Sequence, residues 1–504
     1  MSSSFETLLE SYLAGTIDAE GMARLNAILK SDPSSRKRFA EVLNLDAALA
    51  AFARRVPHPE HLPAQARADR RSSLQRNRPP RSLRSSLPRA ALALAACIAV
   101  ALALARFFSV PAEFARVAPS AQVPELSPGT PLHSEVRHLH AGTLPLLTAK
   151  GVRLVLEAPA TFRFESAQKL HLTRGRLTAD VPPEGKGFTV VTPSGNAVDL
   201  GTRFGVDVPE SGDTEVHVFQ GLVIANSKHD RQRNLQTGEA LAMTRGGNAA
   251  RDVRPAAFIQ HEEQNALSAG LAAGQQGRAR EMLQHLRQDP ALIALIDFTD
   301  PFLQGSFRSV QGRWPGSRAP EFMRQGDHVS IDVGGGKEWP QLTIAMWARL
   351  DRLGDPYQSL LHTDGWSANK PGQVHWMLIS DTTMRFGLYG NKLAQQFIQN
   401  PPRSLLHGVP QSLTPLSPAQ GRWVHLAAVY NADAKTVRFF VNGRLDNEMS
   451  LEVALPARLG PARIGNWDTS DRKLSGRIDE VLILGRCLAD GEISNLHDSG
   501  TPYR

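Results

Sequence analysis

The sequence predicts a multidomain, mainly β chain: a small N-terminal helical module, one transmembrane helix, an all-β domain, a helical connector and a C-terminal β-sandwich. Three observations predict it. Residues 90–105 read AALALAACIAVALALA, sixteen positions without a polar side chain. From 136 to 227 the apolar residues recur with period two between glycines, the pattern of short strands and turns. A second period-two block begins at Ala291, after a stretch rich in Ala, Gln and Glu. At 504 residues the chain has room for about three domains.

Composition excludes several classes. A charged fraction of 21% and an apolar fraction of 41% exclude a wholly disordered or collagen-like chain. Two cysteines, Cys97 and Cys487, exclude a disulfide scaffold and a four-cysteine zinc site. The net charge of +8 sits largely in residues 54–89, where ten arginines face Glu60 and Asp69. That Arg-, Pro- and Ser-rich stretch lacks stacking aromatics, so it reads as a disordered tether near anionic headgroups and not as a nucleic-acid arm.

Residues 1–53 carry three helical patterns. Ser3 and Glu6 fit a capping box before Phe5, Leu8, Leu9 and Leu13. Asp18 caps a second helix bearing Met22, Leu25, Ile28 and Leu29. Asp32-Pro33 starts a third with Phe39, Leu43, Leu45, Leu49 and Phe52. Fifty residues bury a marginal core, so the module either closes on itself or completes its core on a partner. The candidate partner face is Phe39, Leu43 and Leu49, framed by Arg36, Lys37, Arg38 and Glu41.

The apolar run extends to residue 110, giving about twenty residues, enough for one membrane span with Arg106 snorkelling to the interface. A buried Ala/Leu helix lacks an upstream fold to cover it, and a signal peptide starts much nearer the N-terminus. The arginines precede the span, so the N-terminus is expected in the cytoplasm and the C-terminal bulk exported. Residues 11–49, with helix, Gly-Thr, short helix, Asp-Pro and a basic-acidic helix, resemble the N-terminal anti-sigma-like segment of bacterial FecR-type membrane regulators.

After a linker at 111–135, residues 136–254 read as a β-domain of several short strands, with Gly151, Gly175, Gly185, Gly195, Gly201 and Gly221 at turns. Thr192, Pro193, Gly195, Leu200, Gly201, Thr202, Phe204, Val216, Val218 and Gly221 occupy the pattern of the FecR domain, which this stretch resembles. None of these residues is a catalyst by type. The resemblance implies a periplasmic module that senses or relays a signal. His133, His138 and His140 lie close in sequence, but no cysteine or carboxylate pair accompanies them to make a metal site.

Residues 255–289 return to helical pattern and read as two short helices forming a spacer. From 290 to 498 the chain is β again. In LTIAMWARLD, Leu342, Ile344, Met346 and Ala348 share one face, and Thr343, Ala345, Trp347 and Arg349 the other. Trp423–Tyr430 (W-x-H-x-A-x-V-Y), Val441–Gly443 (V-N-G), Ile464-Gly465 and Gly476–Val481 (G-x-I-D-E-V) resemble the laminin-G-like, concanavalin A-like jelly roll. That fold hosts lectins, adhesion modules and glycosidases, so chemistry must come from a site. The E-x-D-x-x-E strand of the fold's hydrolases is missing. Asp479 and Glu480, adjacent on a strand, are expected on opposite faces. No nucleophile elbow, zinc helix, P-loop or dinucleotide fingerprint is present either. An enzyme is therefore not expected, and no cofactor is implied; nothing in the residues argues for calcium at the jelly-roll rim. Trp366, Asn369, Trp467 and Asp468 stand in loop-like stretches as a candidate ligand rim, with a packing role for Trp467 as the alternative.

The expectation is a single-pass inner-membrane regulator with periplasmic C-terminal domains and a cytoplasmic sigma factor as partner. An envelope protein or glycan is the expected ligand, and nucleic acid is not a partner. A cell-envelope adhesion or carbohydrate-binding protein is the alternative, and an exported glycoside hydrolase the third reading.

Overall fold

A computed structural model describes residues 21, 22, 24, 25, 28, 32, 112–364, 371–388, 410–451, 454–466 and 472–503. The chain divides into two units, Met1–Phe108 and Ser109–Arg504. In the first, Gly21, Met22, Arg24, Leu25 and Ile28 are helical, Leu25 is buried, and the Asp32 N–H donates to the Ile28 carbonyl at 2.9 Å. The helical positions fall in the second expected helix, and Asp32 stands just past it. The first and third, the tether and the apolar 90–110 segment lie outside the described residues. Among the described residues, no helix is long and apolar enough to cross a membrane.

The second unit is mainly β. Its N-terminal module is a branched sheet in which 14 strands are described. Alternation places Leu154, Leu156, Phe162, Phe164, Leu170, Leu172, Leu177, Phe204, Val206, Val216 and Val218 in one apolar core. The centre differs from the expected short strands: Arg153–Ser166 and Lys169–Asp180 are continuous strands of 14 and 12 residues. They stay paired because the ladder slips register between Glu157 and Thr161 and again beyond, and such bulges let a long strand bend without ending. Gly175, expected at a turn, lies inside the second of these strands at φ +117°. A Cβ there would sit 2.5 Å from the Ala160 Cβ, so only glycine fits the bend.

Residues 111–135, expected as linker, supply the short strands Ala115–Val117 and Pro131–Leu132 to this sheet. Runs of three and two residues are too short to show a period. The 255–289 segment forms helices α1 (His261–Ala272) and α2 (Gln275–Leu286). They are not a free spacer. Leu267 of α1 packs with Val155, Trp347 and Trp423, while Leu286 of α2 packs with Ala345, Ala427 and Ile493.

The C-terminal module is a sandwich of an eight-stranded and a six-stranded sheet. Gln341–Arg352 pairs antiparallel with both Trp423–Asn431 and Ser475–Leu484. Its Leu342, Ile344, Met346 and Ala348 face the inter-sheet core. Its opposite face is also buried: Ala345 under the helices, Trp347 and Arg349 against the first module. Asn442 and Gly443, at φ +47° and +76°, turn Thr436–Val441 into Arg444–Ser450. A last helix, α3 (Asp490–Gly500), lays Ile493 and Leu496 on the eight-stranded sheet.

Asp479 and Glu480 depart from strict alternation. The ladder skips from Met346↔Val481 to Trp347↔Asp479, leaving Glu480 as a bulge at φ +48°. Both carboxylates therefore turn to one partner: Asp479 accepts the Arg313 N–H at 2.8 Å and Glu480 binds the Arg313 guanidinium. Burial raises the Asp479 pKa to about 7, the Arg313 charge opposing this and Glu480 adding to it.

Candidate functional site: a buried ion network between the two β modules

Three neighbouring strands of the first module place Glu157, Arg176 and Asp207 in one cross-strand row, since Glu157 pairs with Arg176 and Arg176 with Asp207. Three neighbouring strands of the sandwich place Glu321, Arg477 and Arg349 in another, with Glu321 opposite Arg477 and Arg477 opposite Arg349. The two rows meet face to face. Arg176 binds Glu321 at 2.8 Å across the junction and Asp207 at 2.8 Å within its own row. Arg477 reaches Glu157 at 2.9 Å, and Arg308 crosses to Asp207 at 2.8 Å. Each central guanidinium thus meets a carboxylate of the other module.

The segment joining the modules threads between the rows. The Ala257 carbonyl accepts from both Arg176 (2.9 Å) and Arg477 (3.1 Å), and the Ile259 N–H donates to Glu157 at 3.0 Å. Arg349 is held by Glu263 of α1 at 2.9 Å and by the Phe258 carbonyl at 3.3 Å. Tyr503 closes this end: its hydroxyl donates to Glu263 at 3.1 Å and accepts the Trp423 N–H at 2.8 Å. Gly205 lets the Phe258 ring approach, because a Cβ there would sit 2.5 Å from it.

These charges are buried in the interface. Arg349 and Glu321 are 0% exposed. Burial opposes ionisation of Glu321, yet the Arg176 guanidinium, with Arg477 and Arg308, holds its pKa down to about 2. Asp207 is lowered further by Arg176 and Arg308 against the same burial. Interactions of this kind contribute little net stability but penalise any docking that leaves one charge unpaired, so they select a single arrangement. The apolar cluster of Val155, Ile259, Leu267, Ala319, Trp347 and Trp423 supplies the cohesion.

Asp351 is the exception. Among the described residues, neither carboxylate oxygen has a hydrogen-bond partner, and the nearest guanidinium nitrogens, of Arg349 and Arg254, stand 3.7 Å away. Burial, then repulsion from Glu321, raises its pKa. A carboxyl with a raised folded-state pKa holds its proton more tightly in the native state. The associated stability is full at acid pH and is lost as pH rises through the folded pKa. Asp351→Asn is expected to gain about 1–3 kcal/mol at alkaline pH and little in acid. Urea midpoints measured across pH check this, and a variant curve parallel to wild type contradicts it.

Phe39, Leu43 and Leu49, and the rim residues Trp366, Asn369, Trp467 and Asp468, lie outside the described residues. The strands leading to the rim segments are described: Thr363 pairs with Ala462 and Leu361 with Ile464. Asp364 and Asn466 therefore stand at opposite ends of one antiparallel pair. His133 binds the Ala112 carbonyl at 3.0 Å, whereas His138 binds the Thr161 hydroxyl at 3.1 Å and stacks on His140. Among the described residues, no group of three or more His, Cys, Asp or Glu side chains is placed to hold a metal.

The junction residues went unnoticed in the sequence because a charged residue on the second face of a strand reads as solvent-facing. The available signal was density: Arg349 and Asp351 in one strand and Arg477 and Asp479 in another share a face with Trp347 or lie beside core positions.

Within Ser109–Arg504 the described residues form two mainly β modules locked into one body, the second a sandwich. Residues 325–494 match the concanavalin A-like lectin/glucanases superfamily. Residues 146–224 match the FecR protein family. Similar solved structures include a SAP-like pentraxin from Limulus polyphemus (14% identity, TM-score 0.25, covering 35% of this chain and 74% of that one). A putative anti-sigma factor from Parabacteroides distasonis has 17% identity and TM-score 0.22, over 24% of this chain and 60% of that one. The receptor binding domain of botulinum neurotoxin D has 8% identity and TM-score 0.30, over 42% and 48%. The chain thus spans less than two thirds of the latter two. No curated protein matches it.

Proposed function

We propose that this protein is a single-pass inner-membrane regulator that relays an envelope signal to a cytoplasmic partner, a sigma factor, by binding and conformational change without bond chemistry. The observation that carries the reading is the FecR match at 146–224, welded through a buried ion network to a fold that commonly serves recognition. The apolar run at 90–105, preceded by ten arginines, supports a cytoplasmic N-terminus and a periplasmic C-terminal block. A ligand held by either module then moves both together, because neither can turn without leaving buried charges unpaired.

The test uses the full chain in detergent with the candidate sigma factor. Truncating an anchor at the centre of an interface typically costs about 2 kcal/mol or more, so Phe39→Ala is expected to weaken capture at least about tenfold while retaining helicity by circular dichroism. Retained helicity with undiminished capture removes this face as the interface. If the wild type captures no sigma factor, the regulator reading gives way to an envelope-binding protein.

A further inference from the structure

Leu200, Gly201 and Thr202, within the FecR match, join strand Gly195–Asp199 to strand Arg203–Val208. The first strand pairs with Thr189–Thr192 and Leu222–Ser227, the second with Lys169–Asp180 and Thr214–Gln220. The chain therefore changes partners at this turn, and the second strand goes on to deliver Asp207 to the buried ion network. The turn is pinned through its backbone. The Val181 N–H donates to the Thr202 carbonyl at 3.0 Å, the Gly187 N–H to the Asp199 carbonyl at 3.0 Å, and the Leu200 N–H to the Leu222 carbonyl at 3.1 Å. Gly201, at φ +102°, keeps it tight.

One side chain inside the turn is badly served. Asp199 is 0% exposed. Its Oδ2 accepts the Gly201 N–H at 2.8 Å, but among the described residues Oδ1 has no hydrogen-bond partner, and neither has the Thr202 hydroxyl. The Thr202 N–H acts on the carboxyl only from outside hydrogen-bond geometry. Charge is scarce around it. The strands on either side, Thr189–Thr192 and Leu222–Ser227, carry no charged residue. Lys186, on the adjoining turn, is the cation that acts on Asp199, and it is exposed. Of the other charges on neighbouring segments, Glu184 and Arg203 are exposed and Asp180 is held by Arg153.

We propose that Asp199 is a proton-operated clamp: with the acid neutral the turn stays closed, and with it ionised the turn opens to hydrate the carboxylate and frees the start of strand Arg203–Val208. The proposal deepens the regulator reading and rests on it for the meaning of the signal, which is acidification of the envelope. The ionised form is the costly one, since it keeps a charged acceptor from water with one oxygen unmatched. Burial outweighs the pull of the Gly201 and Thr202 N–H groups and of Lys186, and raises the carboxyl to about 6. The stability tied to that proton is full below the ordinary value of 3.8 and is lost as pH rises through about 6. Opening of the turn therefore becomes about tenfold more favourable between about pH 5 and about pH 7.5.

Hydrogen–deuterium exchange on the full chain in detergent, read by mass spectrometry at about pH 5 and about pH 7.5 and normalised to the intrinsic chemical rate, tests the clamp. Protection of the amides of 199–203 is expected to fall about tenfold from the acid to the neutral condition. Asp199→Asn is expected to abolish the difference. Lys186→Ala, which removes the exposed cation that favours the carboxylate, is expected to move the midpoint of the fall to higher pH. Circular dichroism verifies the folding of both, and should Asp199→Asn misfold, Lys186→Ala carries the test. Three results overturn the clamp: equal protection at the two pH values in the wild type, the same fall in a folded Asp199→Asn, or an unmoved midpoint in Lys186→Ala. Sigma-factor capture is scored on the same preparation. A pH-dependent turn without capture refutes the regulator reading alone, whereas capture with a pH-independent turn refutes the clamp alone.

Discussion

Arg176→Ala is expected to lower the unfolding free energy of the Ser109–Arg504 unit by about 3–5 kcal/mol, the cost of leaving buried carboxylates without their cation. Arg176 is the only residue that bonds Asp207, Glu321 and the Ala257 carbonyl together among the described residues, and it is 3% exposed. With the guanidinium gone, Glu321 retains Arg477 at 3.5 Å and Arg308 at 3.7 Å, distances too long for a strong hydrogen bond. The loss should fall on the junction. Wild type is expected to melt in one transition, and the variant in two, as the modules come apart before each unfolds. Calorimetry with an unshifted single transition would show that the network carries no such burden. Arg176→Lys is the informative companion: one ammonium cannot serve three acceptors in the geometry of a planar fork, so it should recover only part of the loss.

Trp347→Ala is expected to cost a similar about 3–5 kcal/mol, through packing instead of charge. The indole is 4% exposed, in the cluster that Val155 of the first module shares with Trp423 and Ala319 of the sandwich. Arg313 lies over the ring at 4.4 Å, His497 stacks on it at 5.8 Å and His425 approaches to 5.1 Å. Removing the ring opens a cavity between sheet, helix α3 and junction, and leaves the buried Arg313 guanidinium with only the more distant Trp314 ring, at 5.3 Å. Denaturant titration should show the fall in midpoint, while Trp347→Phe should retain most of the stability. A Trp347→Ala midpoint within experimental error of wild type contradicts the cluster as the source of cohesion.

How much of this was legible in the sequence depends on the range of the interaction. The hairpin around Asn431–Lys435 and the turn at Asn442-Gly443 are local, and the strands Trp423–Asn431 and Thr436–Val441 stand where alternation places them. The core face of Gln341–Arg352 was readable for the same reason: side chains two apart share a face whatever the rest of the chain does. The bulges at Glu157–Thr161 and at Glu480 were not, because one extra residue in a ladder is specified by the partner strand. The candidate partner face and rim were named from local composition, and they lie outside the described residues.

What the sequence by itself determined is the succession of modules: the apolar run, the glycine-punctuated β block, the helical stretch and the second β block, each written in the period of its neighbouring residues. What only the tertiary structure decided is the junction. Glu157 and Arg477 are 320 positions apart, and Arg176 and Glu321 are 145 apart, yet each pair meets in a buried contact. Nothing in the surroundings of any one of them distinguishes a strand's solvent face from a face awaiting another module. The physical reason is that a charge is placed by the charge it meets, and that partner is chosen by how whole sheets pack.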